Sequence, residues 1–123
     1  MPEFASAMEL LAPGESALVI FTRGRWLTDN HNGTASTGWW KIDPQHLVDR
    51  VIICLRASKD PTDNELFVGK YDGVEGPSDE GPSSNRYLVR VIDFQRIGET
   101  RANWREFANT YMRPTRYIKK PVS

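Results

Sequence analysis

The run "RVIICLRAS" constrains this chain more than any other feature, because Val51, Ile52, Ile53 and Cys54 follow one another without a polar break. A short β-branched run that is apolar at both parities fits a strand covered on both faces, so it predicts a buried central strand. A second β-rich run, "ESALVIFTR", follows the break at Pro13 and Gly14 and predicts the first strand. "ELFVGKYDGV" predicts a strand that pairs with "RVIICLRAS" as a hairpin across the turn "KDPTDN". Gly69 inside it marks a bulge or the close approach of another group.

Further along, "RYLVRVIDFQRIG" alternates Tyr87, Val89 and Val91 with Arg86 and Arg90 until Asp93 breaks the phase. That pattern predicts a half-buried strand with the two arginines on its wet face. Trp104, Phe107, Ala108 and Tyr111 fall on one helical stripe, so "RANWREFANTYM" predicts a helix capped by Thr100, with Trp104 in the core. Pro114 ends it, and "TRYIKK" predicts an edge strand protected by its lysines and Pro121. "KIDPQHLVD" predicts one helical turn, with Asp43 as cap and Pro44 at its first position. "EGPSDEGPSSN", residues 75–85, predicts a surface loop.

At 123 residues the chain suits one domain, 1–123, in which residues 1–7 can be vector-derived because Met8 opens a plausible start. The order of elements predicts an α+β fold: a mainly antiparallel curled sheet or open β-barrel with a few short helices plugging its ends. No apolar run is long enough to cross a bilayer, which together with a single cysteine points to a cytoplasmic protein with no membrane contact.

The chemistry is concentrated in "GRWLTDNHNGTASTGWW", which holds three of the four tryptophans and reads as a polar loop around an Asn-His-Asn-Gly turn. Tryptophans among Asn, Thr and Ser can wall a pocket. Trp26, Asn30, His31, Asn32, Ser36, Trp39 and Trp40 are therefore the candidate ligand-binding residues. Arg23, Arg25, Arg86 and Arg90 are the candidate phosphate contacts. Core packing is the competing reading, since adjacent Trp39 and Trp40 in a strand would point to opposite faces and only one could share a pocket with Trp26. Formal charge is zero, yet residues 86–123 carry nine Lys and Arg against three acids, a balance of +6, and the first 85 carry −6. Such a split implies a polarised surface or a set of solvated arginines.

No hydrolase elbow, phosphate loop, dinucleotide fingerprint or metalloprotease motif occurs, so no catalytic residue, metal ligand or cofactor is assigned. Cys54 reads as a small core hydrophobe.

In arrangement, residues 16–108 resemble the PUA-like superfamily, in particular its EVE and YTH group of small barrels that bind modified nucleobases. The resemblance rests on "RGRWLTDNHNGTASTGWWKID" after the first strand, on "LVDRVIICLR" paired with "ELFVGKYDGV", and on "RYLVRVIDF" after a variable loop. It implies a base pocket among Trp26, Trp39 or Trp40 and the start of "VIICLR". Leu55 and Arg56 depart from the aromatic-polar pair common there among relatives, so no residue is carried over at those positions. The resulting expectation is a non-catalytic domain that recognises DNA or RNA carrying a modified base. A protein-interaction or self-associating accessory module is the alternative, and a small enzyme of unknown chemistry the second alternative.

Overall fold

The apolar runs become strands β1 (Ser16–Thr22) and β4 (Arg50–Arg56), joined by β2 (Leu27–Asp29), β3 (Thr34–Trp40), β5 (Asn64–Glu75), β6 (Tyr87–Thr100) and β7 (Thr115–Lys119). A 3₁₀ turn (Ala7–Leu10) and helix α1 (Trp104–Ala108) complete the elements. The structure is a computed structural model and describes residues 2–77, 85–108 and 114–122. Its strands form one seven-stranded sheet in the order β2-β3-β6-β5-β4-β1-β7.

Five of the six strand pairings are antiparallel, as expected, including the β4–β5 hairpin. The exception is at the centre, where β1 and β4 run parallel, so the sheet is mixed. The sheet also curls. Val89 and Val91 of β6 share a buried cluster with Leu18 and Ile20 of β1. Three strand spacings would hold them ~14 Å apart on a flat sheet. Val51 and Ile53 of β4 bridge part of that span, and the end strands β2 and β7 are not paired with each other, so the curled sheet is not closed.

The other face carries Ala17, Val19 and Phe21 of β1, Ile52 and Cys54 of β4 and Leu66 of β5, packed with Ala7, Leu11, Phe107 and Ala108. The helical elements thus cover one face of the sheet instead of plugging its ends. Trp104 lies against this cluster, stacks on Phe21 at 5.3 Å and donates its Nε1–H to Asn64 Oδ1 at 3.0 Å. Buried Asn64 in turn donates to the carbonyls of Pro61 and Ala102. Together these bonds tie the β4–β5 turn to the approach of α1.

Three local expectations need correction. Asn103, not Thr100, caps α1: Asn103 Oδ1 accepts from the Glu106 amide at 2.9 Å, whereas Thr100 is buried at the end of β6 and accepts from the Ala102 amide. Around Pro44 there is a turn and no helix, with Asp43 Oδ1 accepting from Gln45 N and Asp43 O from His46 N. The segment read as a tryptophan loop is a β-hairpin, since β2 pairs with β3 and only residues 30–33 form its loop. Tyr111 and most of the expected loop at 75–85 lie outside the described residues, although β5 continues through Glu75.

Gly69 sits where β6 bulges at Asp93, whose φ is +51°. A Cβ on Gly69 would lie 2.3 Å from Val91 Cγ1 and 2.7 Å from Ile92 O. Neither the valine nor the backbone carbonyl can yield that far. We therefore expect Gly69→Ala to lower stability by about 1 to 3 kcal/mol in urea unfolding; a midpoint equal to wild type would show that the bulge relaxes freely.

Candidate functional site

The β2–β3 hairpin is shaped by the polar residues that suggested a ligand site. Asp29 Oδ1 accepts from His31 N at 2.8 Å, and Asn32 Oδ1 accepts from both Thr34 N and Thr34 Oγ1. Asn30 donates to Thr34 Oγ1 through its side chain and to Thr34 O through its amide. Left-handed φ values at His31 (+59°) and Gly33 (+88°) complete the reversal. Asn30 and Asn32 therefore use their side-chain groups to turn the chain, and the Nδ1 of exposed His31 lies 3.7 Å from Asp29 Oδ2.

The tryptophans lie at the other end of the hairpin. With three residue pairs between them (Leu27–Thr37, Thr28–Ser36 and Asp29–Ala35), Trp26 stands ~13 Å along the strand from Asn30. The tryptophans and the Asn-His-Asn-Gly turn therefore lie at opposite ends of the hairpin.

At the base, Gly38 N donates to Trp26 O at 3.3 Å. The turn leading there places Gly24 at φ +100° and Trp26 at φ +63°, and Trp26 is 58% exposed. Arg25 holds its guanidinium 5.6 Å from the centre of that ring. Arg23, on the same turn, is also exposed. Arg86 donates to Trp39 O at 3.4 Å, which brings the arginine leading into β6 to the hairpin base. Trp40 turns the other way: half-buried, it packs against the Leu18 and Val51 cluster and donates its Nε1–H to Thr37 Oγ1. It packs against the cluster that holds Val51 and Ile53 of β4, while Trp39 belongs to neither buried cluster.

Farther along the same strands, Ser36 is the register partner of Arg90. The Arg90 guanidinium is drawn across the β5 bulge, donating through Nε and Nη2 to Asp72 O beside Gly73. The structure thus gathers Arg25, Trp26, Trp39 and Arg86 at one end of the hairpin, with Arg23 nearby and Ser36 and Arg90 along it. Trp40 packs half-buried against the core cluster, and residues 30–32 lie at the far tip.

Sequence reading missed a tyrosine cluster below the curled face. Tyr117 stacks on His46 at 3.9 Å and donates its hydroxyl to Asp43 O at 3.2 Å. Burial raises the phenol pKa of both Tyr117 and Tyr71 above its ordinary value. Tyr117's even spacing from Thr115 along β7 was the only available signal, because its partners come from the irregular segment at 41–49.

Burial pushes the Cys54 thiol up to about 12, which disfavours a thiolate nucleophile. Among the described residues no group of three or more His, Cys, Asp and Glu is placed to hold a metal, and no helix is long and apolar enough to cross a membrane. Comparison with protein-family models, curated proteins and solved structures gives no match to the chain.

Two outcomes follow from this geometry. Trp26→Ala should lower unfolding free energy by about 1 kcal/mol at most, whereas Trp40→Ala should cost about 3 kcal/mol, both read by urea titration. Equal losses would place Trp26 in the core. For Cys54, the folded pKa lies above the ordinary 9.0, so the neutral thiol's contribution to stability is complete below pH 9 and declines as pH rises toward 12. A disulfide exchange reagent at pH 8 should leave the native thiol unmodified and label it in urea; rapid native labelling would contradict its burial.

Proposed function

We propose that this chain is a non-catalytic recognition domain for nucleic acid, in which a base stacks on Trp26 and the surrounding arginines hold phosphates. The observation that carries the reading is an exposed tryptophan with a guanidinium beside its ring, on a surface that also receives Arg86. Stacking on an aromatic ring contributes about 1 to 3 kcal/mol per base and tolerates any base. Arginine adds charge-assisted bonds to phosphate, and these weaken with salt.

The resemblance to PUA-like domains of the EVE and YTH kind supports a modified base as the preferred ligand. In this arrangement the ring meets the base at an open surface, with Trp40 packed half-buried against the Leu18 and Val51 cluster, so discrimination between plain and methylated bases rests on Trp26 and Trp39. A protein-interaction module is the second reading. It is supported by the position of β7 at the end of the sheet, where backbone groups can receive a partner strand.

Titration with short single-stranded oligonucleotides, plain and methylated, tests the first reading through tryptophan fluorescence at two salt concentrations. We expect saturable quenching that weakens with salt, and a Kd raised about tenfold by Trp26→Ala. Arg25→Ala with Arg86→Ala should flatten the salt dependence by about 0.7 in logarithmic slope for each phosphate the chain ceases to neutralise. Absence of quenching, or affinity indifferent to Trp26, would favour the protein-interaction reading.

A further inference from the structure

Val89 and Val91 of β6 pack into the cluster that holds Leu18 and Ile20, so alternation puts Leu88 and Arg90 on the opposite, outer face of the strand. Arg86 precedes them at the same spacing. Leu88 is half-buried yet belongs to neither buried cluster. What it covers is Gly38: a Cβ at that glycine would lie 2.6 Å from Leu88 Cδ1, so the leucine side chain fills the space that Gly38 leaves empty. Gly38 N in turn bonds to Trp26 O. A line across the strands therefore runs from exposed Trp26 through Gly38 to Leu88, ~10 Å end to end at two strand spacings.

Charge is arranged along β6 and not across it. Arg86 and Arg90 stand two residues to either side of Leu88, ~13 Å apart on an extended strand. Each guanidinium is held by a backbone carbonyl, Arg86 by Trp39 O and Arg90 by Asp72 O. A carbonyl has no net charge, so these bonds orient the arginines and leave their charge for an anion. On the β5 side the register partner of Leu88 is exposed Glu75, which repels a phosphate there.

On the reading that Trp26 stacks a base, we propose that the outer stripe of Arg86, Leu88 and Arg90 is the track of a single-stranded nucleic acid. One unpaired base stacks on Trp26 with its edge on Leu88, and the phosphates on either side of it meet Arg86 and Arg90. A paired base inside a duplex has both faces covered by its neighbours and cannot offer one to Trp26. A free nucleotide carries phosphate on one side only and reaches one of the two arginines.

The test uses the full chain and a short fluorescein-labelled single strand of mixed sequence, read by anisotropy. The same strand in a fully paired duplex and a deoxynucleoside monophosphate serve as unlabelled competitors, and both should compete at least about tenfold less well than the unlabelled strand. Leu88→Ala should raise the Kd of the strand about fivefold. Gly38→Ala should weaken binding too, because its new methyl turns Leu88 aside while the nearest backbone atom stays 3.5 Å away. Arg90→Ala should flatten the salt dependence by about 0.7 in logarithmic slope. Circular dichroism checks each fold, and should Leu88→Ala unfold, Gly38→Ala and Arg90→Ala decide the matter. If Trp26→Ala weakens the strand while folded Leu88→Ala or Arg90→Ala binds as wild type does, Trp26 remains a base platform and the track is wrong. A duplex that competes as well as the single strand would also overturn it. If the strand fails to bind, or binds regardless of Trp26, the reading of Trp26 itself fails.

Discussion

The parallel pairing of β1 with β4 is the constraint on which the remaining architecture depends. Residues 17–21 are at most 1% exposed and residues 51–54 are fully buried, so both strands are covered on both faces. Their backbone groups must then be satisfied inside the sheet, which places β7 on one side of the pair and β5 on the other. A parallel pair also needs a long connection, because the chain must travel back to its starting end before the second strand begins. Residues 23–49 make that journey and carry the β2–β3 hairpin with them. Neither neighbour position of β1 remains free for the hairpin, so it pairs with β6 at the far side. The location of the tryptophans is therefore a consequence of how the core strands pair.

Those core strands were legible because unbroken β-branched runs have few alternatives. Gly69 and Asp93 were legible for a related reason, since each interrupts a pattern that is otherwise regular, and together they mark the β5–β6 bulge. The parallel orientation was not legible: a run apolar at both parities says that a strand is buried, and nothing about the direction of its neighbour. The hairpin was hidden by composition. Thr34, Ser36, Gly38 and the tryptophans give no alternation of apolar with polar, because β3's inward positions are filled by Ala35 and buried Thr37, a small residue and a polar one. Thr100 and Asn103 are equally good caps on paper. The choice was made by Thr100's place in β6, where its hydroxyl is spent on Ala102 before the helix begins.

The candidate site divides along similar lines. Alternation expects Trp39 and Trp40 on opposite faces; both are half-buried, Trp40 packs against the Leu18 and Val51 cluster, and the register with β6 shifts between Thr37 and Trp40. Between those two pairs β3 advances three residues against two of β6, so the extra residue lies in β3 itself, next to Gly38. The Asn-His-Asn-Gly turn was correctly seen as a turn. Its polar groups were also offered to a ligand, whereas the hairpin takes them for itself, and a group committed to a backbone amide has less to give a base edge.

Trp26 is different in kind, because nothing in the fold explains its presence. A bulky residue at φ +63° carries backbone strain of about 1 to 2 kcal/mol, which Gly or Asn would largely avoid. The residue, 58% exposed, recovers less by burial than a core tryptophan would. The Arg25 interaction offsets about 0.5 to 1 kcal/mol at an exposed site, short of the strain. Stability alone would favour another residue here. A strained, exposed tryptophan beside an arginine is instead suited to present a flat apolar surface and a positive charge to something outside the chain, and a base joined to its phosphate has the complementary pair of features.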